Sequence, residues 1–93
     1  MYEVHRNKKF RKSYKRLKKS GSFDIARFEQ AIAFLVEIKE LPDFYHDHPL
    51  QGNLTNTREC HLEGDCLLVY EYDHNDKVLY LIDIGNHANV LGI

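Results

Sequence analysis

The stretch TRECHLEGDCLLVYEYDHNDKVLYLIDI, residues 57–84, decides the fold. It holds three strand-like runs, 57–63, 65–73 and 77–84, separated by Gly64 and by the polar tip Asp73-His74-Asn75-Asp76. Cys66-Leu67-Leu68-Val69-Tyr70 and Val78-Leu79-Tyr80-Leu81-Ile82 are apolar on both pleat faces, so both runs are expected at the centre of a sheet. Connections this short make an antiparallel meander. Gly85-Asn86-His87 breaks the last strand, and Val90-Leu91 is expected to pair briefly beyond it.

Upstream the period changes. Phe10, Tyr14 and Leu17 recur at i, i+4 and i+7 among lysines and arginines, which predicts a helix over 7–20 with a narrow apolar stripe and a basic outer face. Gly21 is its expected stop. Ser22 is the expected N-cap of a second helix, with Asp24 in its first turn and Ile25, Phe28, Ile32 and Leu35 on its buried face. That helix should end before Leu41-Pro42. Tyr2-Glu3-Val4-His5 alternates as a short first strand. Residues 40–56 have no regular period, and so long an irregular stretch in a small domain is more often functional than filler. The order β-α-α-β-β-β defines an α+β domain, two N-terminal helices packed on one face of an antiparallel sheet. The opposite face is expected to be partly open and concave, and to carry the chemistry.

Ninety-three residues allow a single domain, 1–93, with one small core. Folding at this size buries roughly 65% of the unfolded surface. With 43% hydrophobic and 29% charged residues, the chain is neither disordered nor collagen-like. It has no apolar run near the ~18 residues of a membrane helix and no apolar segment after its basic start, so a cytoplasmic protein is expected. Two cysteines, Cys60 and Cys66, read as small core residues of a reducing compartment. The net charge of −1 conceals a strong asymmetry. Residues 1–20 hold nine basic side chains against Glu3 alone, while the other 73 residues hold four basic and thirteen acidic ones. Such a basic segment fits a polyanion or an acidic protein partner, or simply a solvated helix face.

Three stretches collect polar, titratable groups: DHPLQG at 47–52, RECHLEGD at 58–65 and GNH at 85–87. The meander carries the last strand's end back towards the first hairpin, so His48, His61, Asp65 and His87 can converge. DHPLQG, RECHLEGDCLLVY and IGNHANVLG, in that order after a basic β-α-α start, resemble the YafQ-like branch of the RelE toxin superfamily. The resemblance spans essentially the whole chain. It implies a small endoribonuclease toxin of a type II toxin–antitoxin module that cleaves mRNA in the ribosomal A site. Its implied partners are a cognate antitoxin, ribosomal RNA and mRNA, with operator DNA reached only through the antitoxin. No cofactor and no metal are implied.

By motif matching, His48, His61, Asp65 and His87 fall on the family's catalytic positions. RNA cleavage without a metal needs a base for the 2′-hydroxyl, a group that stabilises the phosphorane and an acid for the leaving 5′-oxygen. Imidazole serves both proton roles near neutrality. The resemblance suggests His48 as base and His87 as acid, an assignment that can be exchanged, with His61 and Asp65 orienting substrate. Lys8, Lys9, Arg11, Lys12, Lys15 and Arg16 of the first helix, together with Arg58, are candidate phosphate contacts. Two positions depart from the family: Cys66 stands where relatives carry Trp, and Leu91 where they carry Phe, so codon preference does not transfer. His5, His46 and His74 read as surface or strand histidines. Alternatively, His46 and His48 with His61, Asp65 and His87 could ligate zinc, or the fold could serve as a non-catalytic RNA- or protein-binding module or a gyrase-directed toxin.

Overall fold

Asn7 opens the first helix, its side chain accepting from the Phe10 N–H at 2.8 Å. Helix α1 (Lys8–Ser20) places Phe10, Tyr14 and Leu17 against the core and leaves its basic side chains exposed. Gly21, with φ 78°, ends it in the left-handed conformation that glycine adopts without a Cβ penalty. Helix α2 (Ile25–Val36) is capped by Asp24, which accepts from the Arg27 N–H at 3.0 Å. The expected cap, Ser22, lies outside the described residues. Phe28 and Leu35 are buried as expected, Ile32 is only partly buried and Ala31 joins the core in addition, whereas Ile25, at the first helical position, is 39% exposed. The computed structural model describes residues 1–21, 23–49, 57–86 and Val90.

Strand β1 (Glu3–Arg6) precedes α1, and a 3-10 turn (Asp43–Tyr45) and a two-residue strand β2 (His48–Pro49) follow α2. Strands β3 (Thr57–Glu63), β4 (Cys66–Asp73) and β5 (Val78–Gly85) form the expected meander. The sheet order is β1-β5-β4-β3-β2, with β4 and β5 central or nearly so. The chain is therefore α+β with both helices packed on the sheet, but the sheet is mixed rather than wholly antiparallel. β1 runs parallel to β5, from Glu3 opposite Val78 to Arg6 opposite Leu81. These strands are far apart in sequence, so no hairpin turn dictates their relative sense. Val90 does not extend the sheet: its N–H donates to the Asn86 carbonyl at 2.9 Å, a helical i→i−4 bond. Leu91 lies outside the described residues.

Cys60, Leu62, Leu68, Tyr70, Leu79 and Leu81 face Phe10, Phe28 and Leu35 in one core. Alternation sends Glu59, Leu67 and Val69 to the other face. That face is not open along its centre, since Leu67 is fully buried and Val69 is 4% exposed. Strands that are apolar on both faces need cover on both. No helix among the described residues is long and apolar enough to cross a membrane.

Candidate active site

The site begins where the chain leaves the 3-10 turn. His46 takes a left-handed conformation, φ 49° and ψ 44°, and its N–H donates to the Asp43 carbonyl at 3.0 Å. A non-glycine residue in this region is uncommon and turns the chain sharply. The turn delivers Asp47 and His48 to the edge of β3, where His48 pairs in register with Glu59.

Both nitrogens of the His48 ring are engaged. Nδ1 lies 2.8 Å from the His46 carbonyl oxygen. A carbonyl only accepts, so Nδ1 carries a hydrogen. Nε2 lies 2.8 Å from Glu59 Oε1. Glu59 is 5% exposed, and its Oε2 has no hydrogen-bond partner among the described residues. The His61 ring, two residues along the same strand face, lies 6.2 Å from that of His48 and 5.6 Å from that of His46.

Asp47 points the other way. Its Oδ2 accepts from Arg58 Nη2 at 3.0 Å and Nε at 3.3 Å, and its Oδ1 accepts from the Tyr70 hydroxyl. The Asp47 carboxylate holds the Arg58 guanidinium above its ordinary value. Burial, reinforced by the same carboxylate, pushes the Tyr70 phenol up, so it stays protonated and donates. Arg58, a candidate phosphate contact, thus already has two of its donors on Asp47.

Asp65 sits in the β3–β4 turn and lines a cavity of about 450 Å³ with Asn86, Cys66 and Gly64. Gly85 stands in register with Leu67, and Leu67 with His61. The end of β5 is therefore two strand spacings, roughly 9.5 Å, from the His61 backbone. His87 itself lies outside the described residues, as do Leu50, Gln51 and Gly52 of the DHPLQG stretch. The structure thus joins His48 to His61 and places Asp65 beside the residue that leads to His87.

Sequence reasoning missed Glu59 and placed His46 with these residues only in the alternative zinc set. Glu59 was legible in principle, because it stands two residues before His61 and so shares its strand face. His46 is exposed, as a surface histidine should be, but its ring turns towards His61. Among the described residues, no three His, Cys, Asp or Glu side chains are grouped to hold a metal ion. With both ring nitrogens taken by oxygens, His48 as arranged offers no lone pair to one.

The basic residues of α1 form a second surface. Lys9 Nζ approaches Asp83 Oδ2 at 3.4 Å, and Lys18 lies 5.7 Å from the Tyr14 ring centroid. Asp83 is 3% exposed and also accepts from the Ser13 hydroxyl at 2.7 Å and the Ile84 N–H at 2.9 Å. Ile82 is the extra residue of a bulge, since Val69 pairs with Asp83 and Tyr70 with Leu81. A bulge re-aims the side chain beside it.

Comparison with known proteins agrees with this architecture. The structure of a metal-bound toxin from Helicobacter pylori superposes with a TM-score of 0.90 at 37% identity, over 97% of this chain and 99% of that one. The Escherichia coli DinJ–YafQ complex contains a chain that superposes at 0.85 with 29% identity, over 99% and 100%. The mRNA interferase toxin YafQ of Escherichia coli K12 is 42% identical over 52 residues, 56% of this chain. That match spans about half the curated relative's length, 54%. The family model described as a bacterial toxin of type II toxin–antitoxin systems, YafQ, matches residues 2–92, and the chain belongs to that family.

Proposed function

We propose that the chain is an endoribonuclease that cleaves mRNA in the ribosomal A site by attack of the 2′-hydroxyl, without a metal. The observation that carries this reading is the meeting of His48, His61 and Glu59 across β2 and β3, beside a hairpin that bears Asp65. A relative named mRNA interferase toxin YafQ supports the same reaction class.

His48 and His87 are the proton-transfer pair, with His61 and Asp65 holding substrate. Because Nδ1 is occupied by the His46 carbonyl, proton exchange at His48 runs through Nε2. Nε2 faces Glu59 in the resting protein, so the proton between them belongs to the pair. To act as base, Nε2 first releases that shared proton to solvent and then turns from Glu59 to the 2′-hydroxyl. It takes the hydroxyl proton while the oxygen attacks phosphorus, and the returning ring is then an imidazolium beside a carboxylate. The acid on the other side gives its proton to the leaving 5′-oxygen.

Lys8, Arg11, Lys12, Lys15 and Arg16 are exposed along α1 and supply phosphate contacts to ribosomal RNA. The partner that neutralises the toxin is an antitoxin with an acidic segment that orders on binding. Its target places the active toxin in the cytoplasm.

The test is a reconstituted translation reaction with mapped mRNA ends. Cleavage within the A-site codon, leaving a 2′,3′-cyclic phosphate and persisting in excess chelator, is the expected result. Growth arrest by His87→Ala as strong as the parent's, or ends bearing a 5′-phosphate, would overturn the mechanism. Ribosome or protein binding without any cleavage would favour a binding module on the same fold.

A further inference from the structure

We infer that Asp47 is a positioning residue, which sets the His46 and His48 rings by anchoring the chain between them to Tyr70 and Arg58. The inference rests on the nuclease reading of His48 for its kinetic consequence, but not for its structural one.

Among the described residues, the backbone gives this segment little support. β2 has only two residues, and a two-residue edge strand has few ladder bonds to fix its register. His46 stands in the left-handed region, which a side chain other than glycine occupies only when its surroundings hold it there. Between the two histidines, Asp47 reaches the opposite side of the sheet edge. There it meets Tyr70, 1% exposed on a central strand, and Arg58 on β3. All three contacts fall on one carboxylate, and two of them come from a guanidinium that matches carboxylate geometry. Backbone alternation then turns His48 towards Glu59 and His61. The rigid strands β3 and β4 thus dictate the ring positions through a residue that does not face the histidine cluster.

The geometry also separates the roles within the clamp. Tyr70 is fixed by the core and keeps its proton, so it is the reference point. Arg58 closes the clamp from the neighbouring strand. A misplacement of about 1 Å at a proton-transfer group lowers turnover about 10²-fold.

The experiment uses the full chain carrying labelled histidine, with the variants Asp47→Asn, Asp47→Ala and Tyr70→Phe. Imidazole ring resonances report His46 and His48 in the isolated protein, and single-turnover cleavage on translating ribosomes reports kcat and KM. The expected result is displaced His48 resonances in all three variants and kcat about 10²-fold lower for Asp47→Ala, with KM retained. Tyr70→Phe combined with Asp47→Ala should cost no more than Asp47→Ala alone, because one interaction is removed twice. Ring resonances that coincide with the parent's would overturn the inference. So would a lower melting temperature with parental kcat in the folded fraction, which is the signature of a merely structural tie. If the parent cleaves nothing, the nuclease reading falls, and the ring resonances still decide the positioning role.

Discussion

His48 Nε2 and Glu59 Oε1 face each other at 2.8 Å across the β2–β3 register, so a buried carboxylate is the direct partner of a candidate proton-transfer ring. Glu59→Gln keeps the shape and removes the negative charge that would balance an imidazolium. The expected outcome is a fall in kcat of about 10²-fold with little change in KM, read in single-turnover cleavage. Because Glu59 Oε2 is buried without a partner among the described residues, the variant should unfold at a urea concentration no lower than the parent's.

Asp83 and Lys9 should differ sharply in their contribution to stability. Asp83→Ala strands the buried Ser13 hydroxyl and removes an acceptor for the Ile84 N–H, which should cost about 1–3 kcal/mol. Lys9→Ala breaks an ion pair whose ammonium end is largely exposed and should cost about 1 kcal/mol or less. Urea unfolding of the two variants distinguishes these outcomes, and equal losses would contradict the placement of Asp83.

The coupling of the Asp24 and Glu63 carboxyls makes stability depend on pH with a known sign. Asp24 holds the Glu63 carboxyl above the usual range, while Glu63 and the Arg27 N–H hold Asp24 below it. The contribution of Glu63 is full below its unfolded value and is lost as pH rises through its folded value. The contribution of Asp24 is present above its unfolded value and lost as pH falls through its folded value. As pH rises through the folded value of Glu63, the proton shared with Asp24 is lost and the two carboxylates repel. Glu63→Gln supplies a permanent donor to Asp24, so it should raise the melting temperature at pH 7 and remove the rise that the parent shows on mild acidification.

Thiol chemistry should be slow in the folded chain. Burial, followed by the nearby Asp65 carboxylate, pushes Cys66 up to about 11, and deeper burial pushes Cys60 further. A thiolate-selective reagent at pH 8 should label neither quickly. As the pH is raised, half-buried Cys66 should react first and Cys60 only on unfolding. Rapid labelling of Cys60 in the native protein would mean that the core packing described here is wrong.

The elements that the sequence disclosed are those with a strong local period. The stripe Phe10, Tyr14 and Leu17 announces α1, and the doubly apolar runs at 66–70 and 78–82 announce the two strands at the heart of the meander. The parallel pairing of β1 with β5 leaves no local trace, because it joins segments separated by both helices. The Asp24 cap was displaced by a nearer-looking candidate, since Ser22 and Asp24 are both good capping residues two positions apart. Within the site, the resemblance pointed to His48, His61 and Asp65, but the partner of His48 depends on which strand position stands opposite it. Arg58 looked available for phosphate from sequence alone, whereas in the fold Asp47 and Tyr70 surround it with a fixed network.

One feature of the sheet bears on how such a protein persists at high concentration. Its outermost strands among the described residues are the four-residue β1, where Glu3, His5 and Arg6 are all exposed, and the two-residue β2, which ends on Pro49. Proline lacks the N–H that a newcomer strand would need, and charged flanks repel their own kind. Neither border, as formed by the described residues, is therefore a good template for adding another chain, which guards this sheet against fibre-like stacking without closing it into a barrel.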